Sequence, residues 1–282
     1  VDEHTLERAM ERTFDTPHPV HLYVELGNGS VDVTAAEVTT TEVVATGDHA
    51  DEVRVERDGD RISVIGPKSR GGFFGSDPKI ELRITVPGDS ELTTKTGSAD
   101  LRTAGTLAVV KAKSGSGDIA VDRVTGATVV DTGSGDITVN DAGADLRAKS
   151  GSGDVGVASV AGTVGISTGS GDVTIGATSA AAVLKSGSGD LRIGQAHGDL
   201  SLSTASGDIA VDTQHRGSVS AKNASGDVRI GIPGGIPVWT DVYTVTGRIG
   251  SDLEGAGQPQ DGQDHIEVRA KSVSGDILLK QL

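Results

Sequence analysis

One aspartate recurs at a constant interval through the middle of this chain, and that interval excludes most folds. Asp100, Asp118, Asp136, Asp154, Asp172, Asp190 and Asp208 keep the spacing of eighteen, and Asp227 comes one position late. Each closes a corner of the Ser-Gly-Ser-Gly-Asp type and is followed by an aliphatic residue: Leu101, Ile119, Ile137, Val155, Val173, Leu191, Ile209 or Val228. A second aliphatic residue comes two positions later in most repeats, as at Val121, Val139, Val157 and Ile175. A period of two marks a strand with one inward face. Later in each repeat the pairs Val110/Ala112, Leu146/Ala148, Val164/Ile166 and Leu200/Leu202 mark a second strand. So short a repeat holds two strands and two turns but no helix of ordinary length. One repeat therefore cannot bury its own apolar face, and its neighbours must do so. The pattern predicts an all-β fold, a single-stranded parallel β-solenoid (β-helix) with ~18 residues per coil. A right-handed coil is favoured over the triangular left-handed type that the same length also suits.

Composition agrees with a narrow core. There are 41 glycines, which supply the backbone freedom that corners need, and only six aromatic residues. The aromatics Phe14, Tyr23, Phe73, Phe74, Trp239 and Tyr243 all lie outside the regular repeats. An open stack exposes strand edges and a core cross-section at each end, so these residues are expected to plug the ends. Leu6, Met10 and Phe14, spaced by four before Pro17, predict a short N-terminal helix. The expected organisation is a helical cap over 1–18, irregular β coils over 19–96, the regular repeat over 97–231, and C-terminal coils with a cap over 232–282. Residues 19–282 would form one continuous domain.

At the Ser-Gly-Ser-Gly-Asp-[Ile/Val]-x-Val repeats the chain resembles the putative adhesin family of bacterial β-strand-repeat proteins. The resemblance extends to Asn28-Gly29-Ser30-Val31-Asp32-Val33 near the start and Val273-Ser274-Gly275-Asp276-Ile277 at the close. It implies a single-chain β-solenoid and, by the family's label, adhesion or envelope association. It carries no catalytic residues. At Thr246-Gly247-Arg248-Ile249 an Arg stands where the motif has Asp, which bears on coil regularity only.

Three columns follow from stacking the repeats in register. Asp118, Asp136, Asp154, Asp172, Asp190 and Asp208 would lie ~4.8 Å apart, where neighbouring charges repel by ~1 kcal/mol even in water. The repulsion can be offset by N–H groups of each residue's own Gly-rich corner, or by a cation such as calcium between coils. The calcium-binding nonapeptide pattern separates Gly, Asp and the aliphatic residue differently, so turn chemistry is the preferred reading. Five positions before each Asp runs a column of Lys95, Lys113, Asp131, Lys149, Ser167, Lys185, Ser203 and Lys222. It is read as a solvated ladder. Ser114, Thr132, Ser150, Thr168, Ser186 and Thr204 share the inward parity and are expected to form a hydrogen-bonded ladder inside the corner.

The remaining chemistry is sparse. The seven histidines have no helical metal-ligand spacing, and they are read as unrelated surface residues. Regular acids without accompanying aromatics do not single out a glycosidase pair. No Gly-Lys-Ser/Thr follows the glycines, as a phosphate loop requires. A net charge of −15 opposes a nucleic-acid partner. No apolar stretch approaches the ~20 residues of a membrane span, so membrane insertion is not expected. The expectation is a non-enzymatic, adhesin-like solenoid, cytoplasmic by default, with cell-surface association as the alternative. It would need no cofactor and would present a repetitive surface to a protein, to copies of itself or to a surface glycan. A calcium-responsive module and a carbohydrate-active enzyme are the alternatives.

Overall fold

The computed structural model describes residues 10–67, 78–254 and 265–282. Apart from a short 3-10 turn at Ala50–Glu52, every element among them is a β-strand. None of the described residues forms a helix long and apolar enough to cross a membrane. The chain divides into two compact units, Val1–Thr138 and Val139–Leu282.

In the second unit, consecutive strands alternate between two parallel sheets. The strands that begin after the corner aspartates, Val155–Val160, Val173–Thr178, Leu191–Ala196, Ile209–Gln214 and Val228–Ile232, form what we term the Asp-side sheet. Those that run into the corners, Leu146–Ser150, Val164–Thr168, Ala182–Ser188, Leu200–Ser206 and Gly217–Lys222, form the Lys-side sheet. Register follows the repeat: Val155 pairs Val173, then Leu191, Ile209 and Val228. Leu146 pairs Val164, then Ala182, Leu200 and Val219. All ten are at most 3% exposed. Burying an aliphatic side chain of this size stabilises by roughly 1.5–3 kcal/mol, so each repeat is held mainly by its neighbours.

The end of the chain does not follow sequence order. Ile266–Ser272 pairs on one side with Gly217–Lys222 and on the other with Val238–Thr244. Ile277–Gln281 likewise lies between Val228–Ile232 and Ile249–Ser251. The last repeat is thus inserted inside the preceding one. Burial explains the order: Ile266, Val268, Ala270 and Ile277 are fully covered, whereas Ile249, in register with Ile277, is 53% exposed. The more regular, more apolar segment takes the position covered on both sides.

The first unit shows the same inversion. His21–Leu26 lies between Arg61–Ile65 and Glu91–Thr96, and Asn28–Ala36 lies between Lys79–Pro87 and Asp100–Ala104, all parallel. Antiparallel strands then extend the outer edges. Thr40–Gly47 pairs Lys79–Pro87, Met10–Asp15 pairs Thr40–Gly47, and Arg54–Asp58 pairs Arg61–Ile65.

Two sequence expectations need correction. From Met10 to Asp15 the chain is a strand, not a helix; Leu6 lies outside the described residues. The i, i+4 spacing of Met10 and Phe14 also satisfies a period of two, and Thr40–Gly47 offers a free edge with six paired positions. The aromatic end plugs also fail at Trp239, Tyr243 and Tyr23, while Phe14 is half-buried on the edge strand Met10–Asp15. Trp239 and Tyr243 are 49% and 59% exposed, because they alternate with the core-aligned positions Thr240 and Val242 and so face solvent. Tyr23 faces outward in the same way, with Leu22 and Val24 buried beside it. Phe73 and Phe74 lie outside the described residues.

Candidate functional site

The repeat corner has a fixed wiring. In the second unit the Ser150 Oγ accepts the Gly153 N–H at 2.8 Å, and the Thr168 Oγ1 accepts the Gly171 N–H at 3.1 Å. The hydroxyl proton goes to the preceding repeat. Thr168 donates to the Gly153 carbonyl at 3.2 Å, and Ser186 and Thr204 donate to the carbonyls of Gly171 and Gly189 at 3.1 Å. The first unit repeats the arrangement, with Gly117 N–H to Ser114 Oγ and Thr132 Oγ1 to the Gly117 carbonyl. The hydroxyl ladder is a bridge between repeats as well as a turn.

The corner glycines are required by close stacking. A Cβ on Gly171 would sit 2.0 Å from the Gly153 carbonyl oxygen, and one on Gly189 would sit 2.1 Å from that of Gly171. No side chain fits while the strands keep their hydrogen-bonding distance.

The aspartates complete the corner, although not as an Asx turn within one repeat. In the second unit the Asp172 N–H donates to Asp154 Oδ1, Asp190 to Asp172, and Asp208 to Asp190, each at 2.8 Å. The series continues from Asp227 to Asp208 and from Asp276 to Asp227, also at 2.8 Å. In the first unit Asp136 donates to Asp118 Oδ1 at 2.9 Å, and Asp118 to Asp100 at 3.0 Å. Within each unit these carboxylates therefore accept the amide of the next repeat. Hydrogen bonds to charged acceptors contribute about 1.5–3 kcal/mol, less where water competes, enough to offset the repulsion between neighbours. Among the described residues no cluster of three His, Asp or Glu side chains could hold a metal ion.

Arg248 acquires a role from the inverted order of the last repeats. Its N–H donates to Asp276 Oδ1 at 2.8 Å, so it occupies the Asp position of the segment that lies beyond the Asp276 repeat. Having no carboxylate, it offers no acceptor to a further repeat. What looks in sequence like a lapse inside the series is its terminus in space.

The Lys column stands on the solvent face of the Lys-side sheet. In the second unit Lys149 pairs with Ser167, Ser167 with Lys185, Lys185 with Ser203, Ser203 with Lys222, and Lys222 with Lys271. In the first unit Lys113 lies 3.7 Å from Asp131, as their stacking predicts. Lys95 lies over the Tyr23 ring, 5.8 Å from its centroid, with Arg61 at 5.6 Å.

Two histidines are not unrelated. His197 and His215 are one repeat apart, and their rings stack at 4.3 Å with an interplanar angle of 2°. The shared repeat position was the available signal. Burial, and then the charge of His197, hold His215 below the ordinary histidine pKa. Its Nε2 is 2.6 Å from Gln195 Oε1. At the corresponding turn of earlier repeats, the Thr163 N–H and hydroxyl both donate to Asp145 Oδ1 and hold that carboxyl below the usual range.

Solved bacterial proteins align with nearly the whole chain. A putative lipid binding protein of Parabacteroides distasonis ATCC 8503 is 13% identical, with 95% of this chain and 96% of that one covered and a TM-score of 0.41. A putative adhesin of Bacteroides fragilis NCTC 9343 is 15% identical over 98% of this chain and 97% of that one, with a TM-score of 0.37. No curated protein matches. The family model Toastrack DUF4097 matches residues 21–280, and the chain accordingly belongs to the Toastrack DUF4097 family.

Proposed function

We propose that the chain is a non-enzymatic interaction protein: a right-handed β-solenoid with ~18 residues per coil that presents a repetitive surface to a macromolecule outside itself. One observation carries this reading. Outward side chains recur at the same place in successive repeats, so whatever binds one repeat meets the same group a fixed distance further on. Weak contacts made in series act through avidity, because each one raises the effective concentration of the next. The carboxylates that would be the first choice for acid–base chemistry are engaged by backbone amides in a uniform series. A reacting pair needs two groups in unlike environments.

The test is light scattering of the native chain together with its retention of envelope polymers and proteins from a bacterial extract. Retention that weakens steeply as outward residues are replaced in two, three and four successive repeats supports the reading. A chain that stays monomeric and retains nothing overturns it.

A further inference from the structure

The Lys-side sheet of the second unit turns surplus positive charge to solvent. On the Lys-side sheet the outward residues include Arg147, Lys149, Lys185, Lys222, Arg269 and Lys271, against Asp241 and Glu267. Both acids are spent on ion pairs, Asp241 with Lys271 at 3.9 Å and Glu267 with Arg269 at 3.1 Å. Among the described residues, Arg147, Lys149, Lys185 and Lys222 make no ion pair and are exposed. A chain of net charge −15 thus carries on this sheet a row of cations without ion pairs among the described residues.

Spacing narrows the ligand. Lys149, Lys185 and Lys222 are separated by Ser167 and Ser203, so from Lys149 to Lys222 ammonium groups alternate with hydroxyls; Lys271 then follows Lys222 directly and is paired with Asp241. At ~4.8 Å per strand the ammonium groups recur every ~9.6 Å. That is about the length of one disaccharide in an extended β-linked polysaccharide. Beside the column Gly165, Val183, Ser201 and Ser220 form a low floor. At one end Trp239 and Tyr243 expose their rings on the same face, with the Arg269 guanidinium 5.5 Å from the Trp239 ring centroid. Apolar rings with polar rims are suited to sugar faces.

We propose that the Lys-side face of residues 146–272 binds an extended acidic polysaccharide carrying one carboxylate per disaccharide. Lys149, Lys185 and Lys222 take successive carboxylates, Ser167 and Ser203 meet the neutral sugars between them, and Tyr243, which continues the column beyond Lys271, stacks the sugar at the end. This rests on the reading of the chain as an interaction protein and specifies its ligand.

The test uses the whole chain and immobilised hyaluronan, a β-linked polymer of the stated charge spacing, with neutral dextran as the reference. Wild type is expected to bind hyaluronan at least tenfold more tightly than dextran, with affinity falling as salt rises. Lys149→Glu/Lys185→Glu/Lys222→Glu should lose at least 30-fold. Arg192→Glu/Arg229→Glu/Lys280→Glu, the same charge change on the Asp-side sheet, should lose under threefold. Lys185→Ser/Ser203→Lys keeps the charge but breaks the spacing, and should lose at least fivefold; Lys149→Ala/Lys185→Ala/Lys222→Ala serves if the Glu variant does not fold. Equal losses from the two faces, full binding by the spacing variant, or no preference over dextran overturns the proposal. So does salt-sensitive self-association that requires the same lysines while hyaluronan is ignored. If an envelope partner is retained and the lysine variants keep it, only the ligand assignment fails; if nothing is retained, the wider reading fails.

Discussion

The Asp side of the second unit carries a charge in every repeat and the Lys side one in alternate repeats from Lys149 to Lys222, and the two columns are used in opposite ways. From Asp154 to Asp276 every carboxylate accepts the amide of the following repeat, and the series stops where Arg248 replaces Asp. The lysines at 149, 185 and 222 stand on a sheet whose backbone bonds are complete without them. The difference teaches that a conspicuous motif can be conspicuous because stacking demands it. Gly, Ser/Thr and Asp recur because the corner admits little else, whereas Lys recurs where the fold does not ask for it.

That contrast breaks most visibly at the glycines. Gly189→Ala places a Cβ 2.1 Å from the Gly171 carbonyl oxygen and 2.6 Å from its carbon, so adjacent repeats must separate. A loss of about 3 kcal/mol is expected, at the upper end for overpacking. Gly165→Ala on the Lys side meets nothing within 4 Å and should gain roughly 0.5–1 kcal/mol from reduced backbone entropy. Urea denaturation of the two variants measures both; equal stabilities would mean that the corner is not closely stacked.

Asp190 tests the second element of the corner. Asp190→Ala removes the acceptor of the Asp208 N–H and should cost about 1–2 kcal/mol, while Asp190→Asn keeps an acceptor oxygen and should cost less than half as much. Thermal melts with added calcium or chelator should coincide, because the column is held by amides. A melting temperature that rises with calcium would show that a cation shares the carboxylates.

The histidine stack should produce a smaller, pH-dependent effect. Its folded pKa is lowered, so the unfolded chain binds the extra proton more readily. The stabilisation from neutral His215 is present above the unfolded value, near 6.5, and is lost as pH falls through that value toward the folded one. The melting temperature should decline between about pH 7.5 and 5.5, and His215→Asn should flatten the part of that decline due to this group. A parallel decline in wild type and variant would assign it to other groups.

Much of this architecture is legible in sequence where a single repeat explains itself. The period placed the strands and their inward residues, including Val155, Val173 and Leu191, and inward parity located Thr168 and Ser186 at the corner. What sequence order hides is the insertion of Ile266–Gln281 inside the segment before it, because the exchange of two similar repeats leaves their local patterns unchanged. The same exchange turns Arg248 from an irregularity into a terminus. Met10–Asp15 was ambiguous because a spacing of four fits both periods, and only its antiparallel partner, Thr40–Gly47, resolves it. The direction of the aspartate bonds depends on contacts one full repeat away, which no local turn rule contains.

The smallest expected effect is the one that completes the comparison. Lys185→Ala removes an exposed side chain with no ion pair among the described residues and leaves the pairing of Val183–Ser186 with both neighbours intact. Its stability should remain within ~0.5 kcal/mol of wild type, as for surface substitutions away from caps and networks. Lys113→Ala in the first unit loses a pair to Asp131 at 3.7 Å, but at an exposed site that pair contributes at most ~1 kcal/mol. Denaturation at low and high salt separates them, since screening should weaken only the paired lysine. If Lys185→Ala destabilises as much as Asp190→Ala, the Lys column is part of the scaffold. If it leaves stability unchanged, its regular recurrence has no source in folding, and the explanation must lie with what binds to that face.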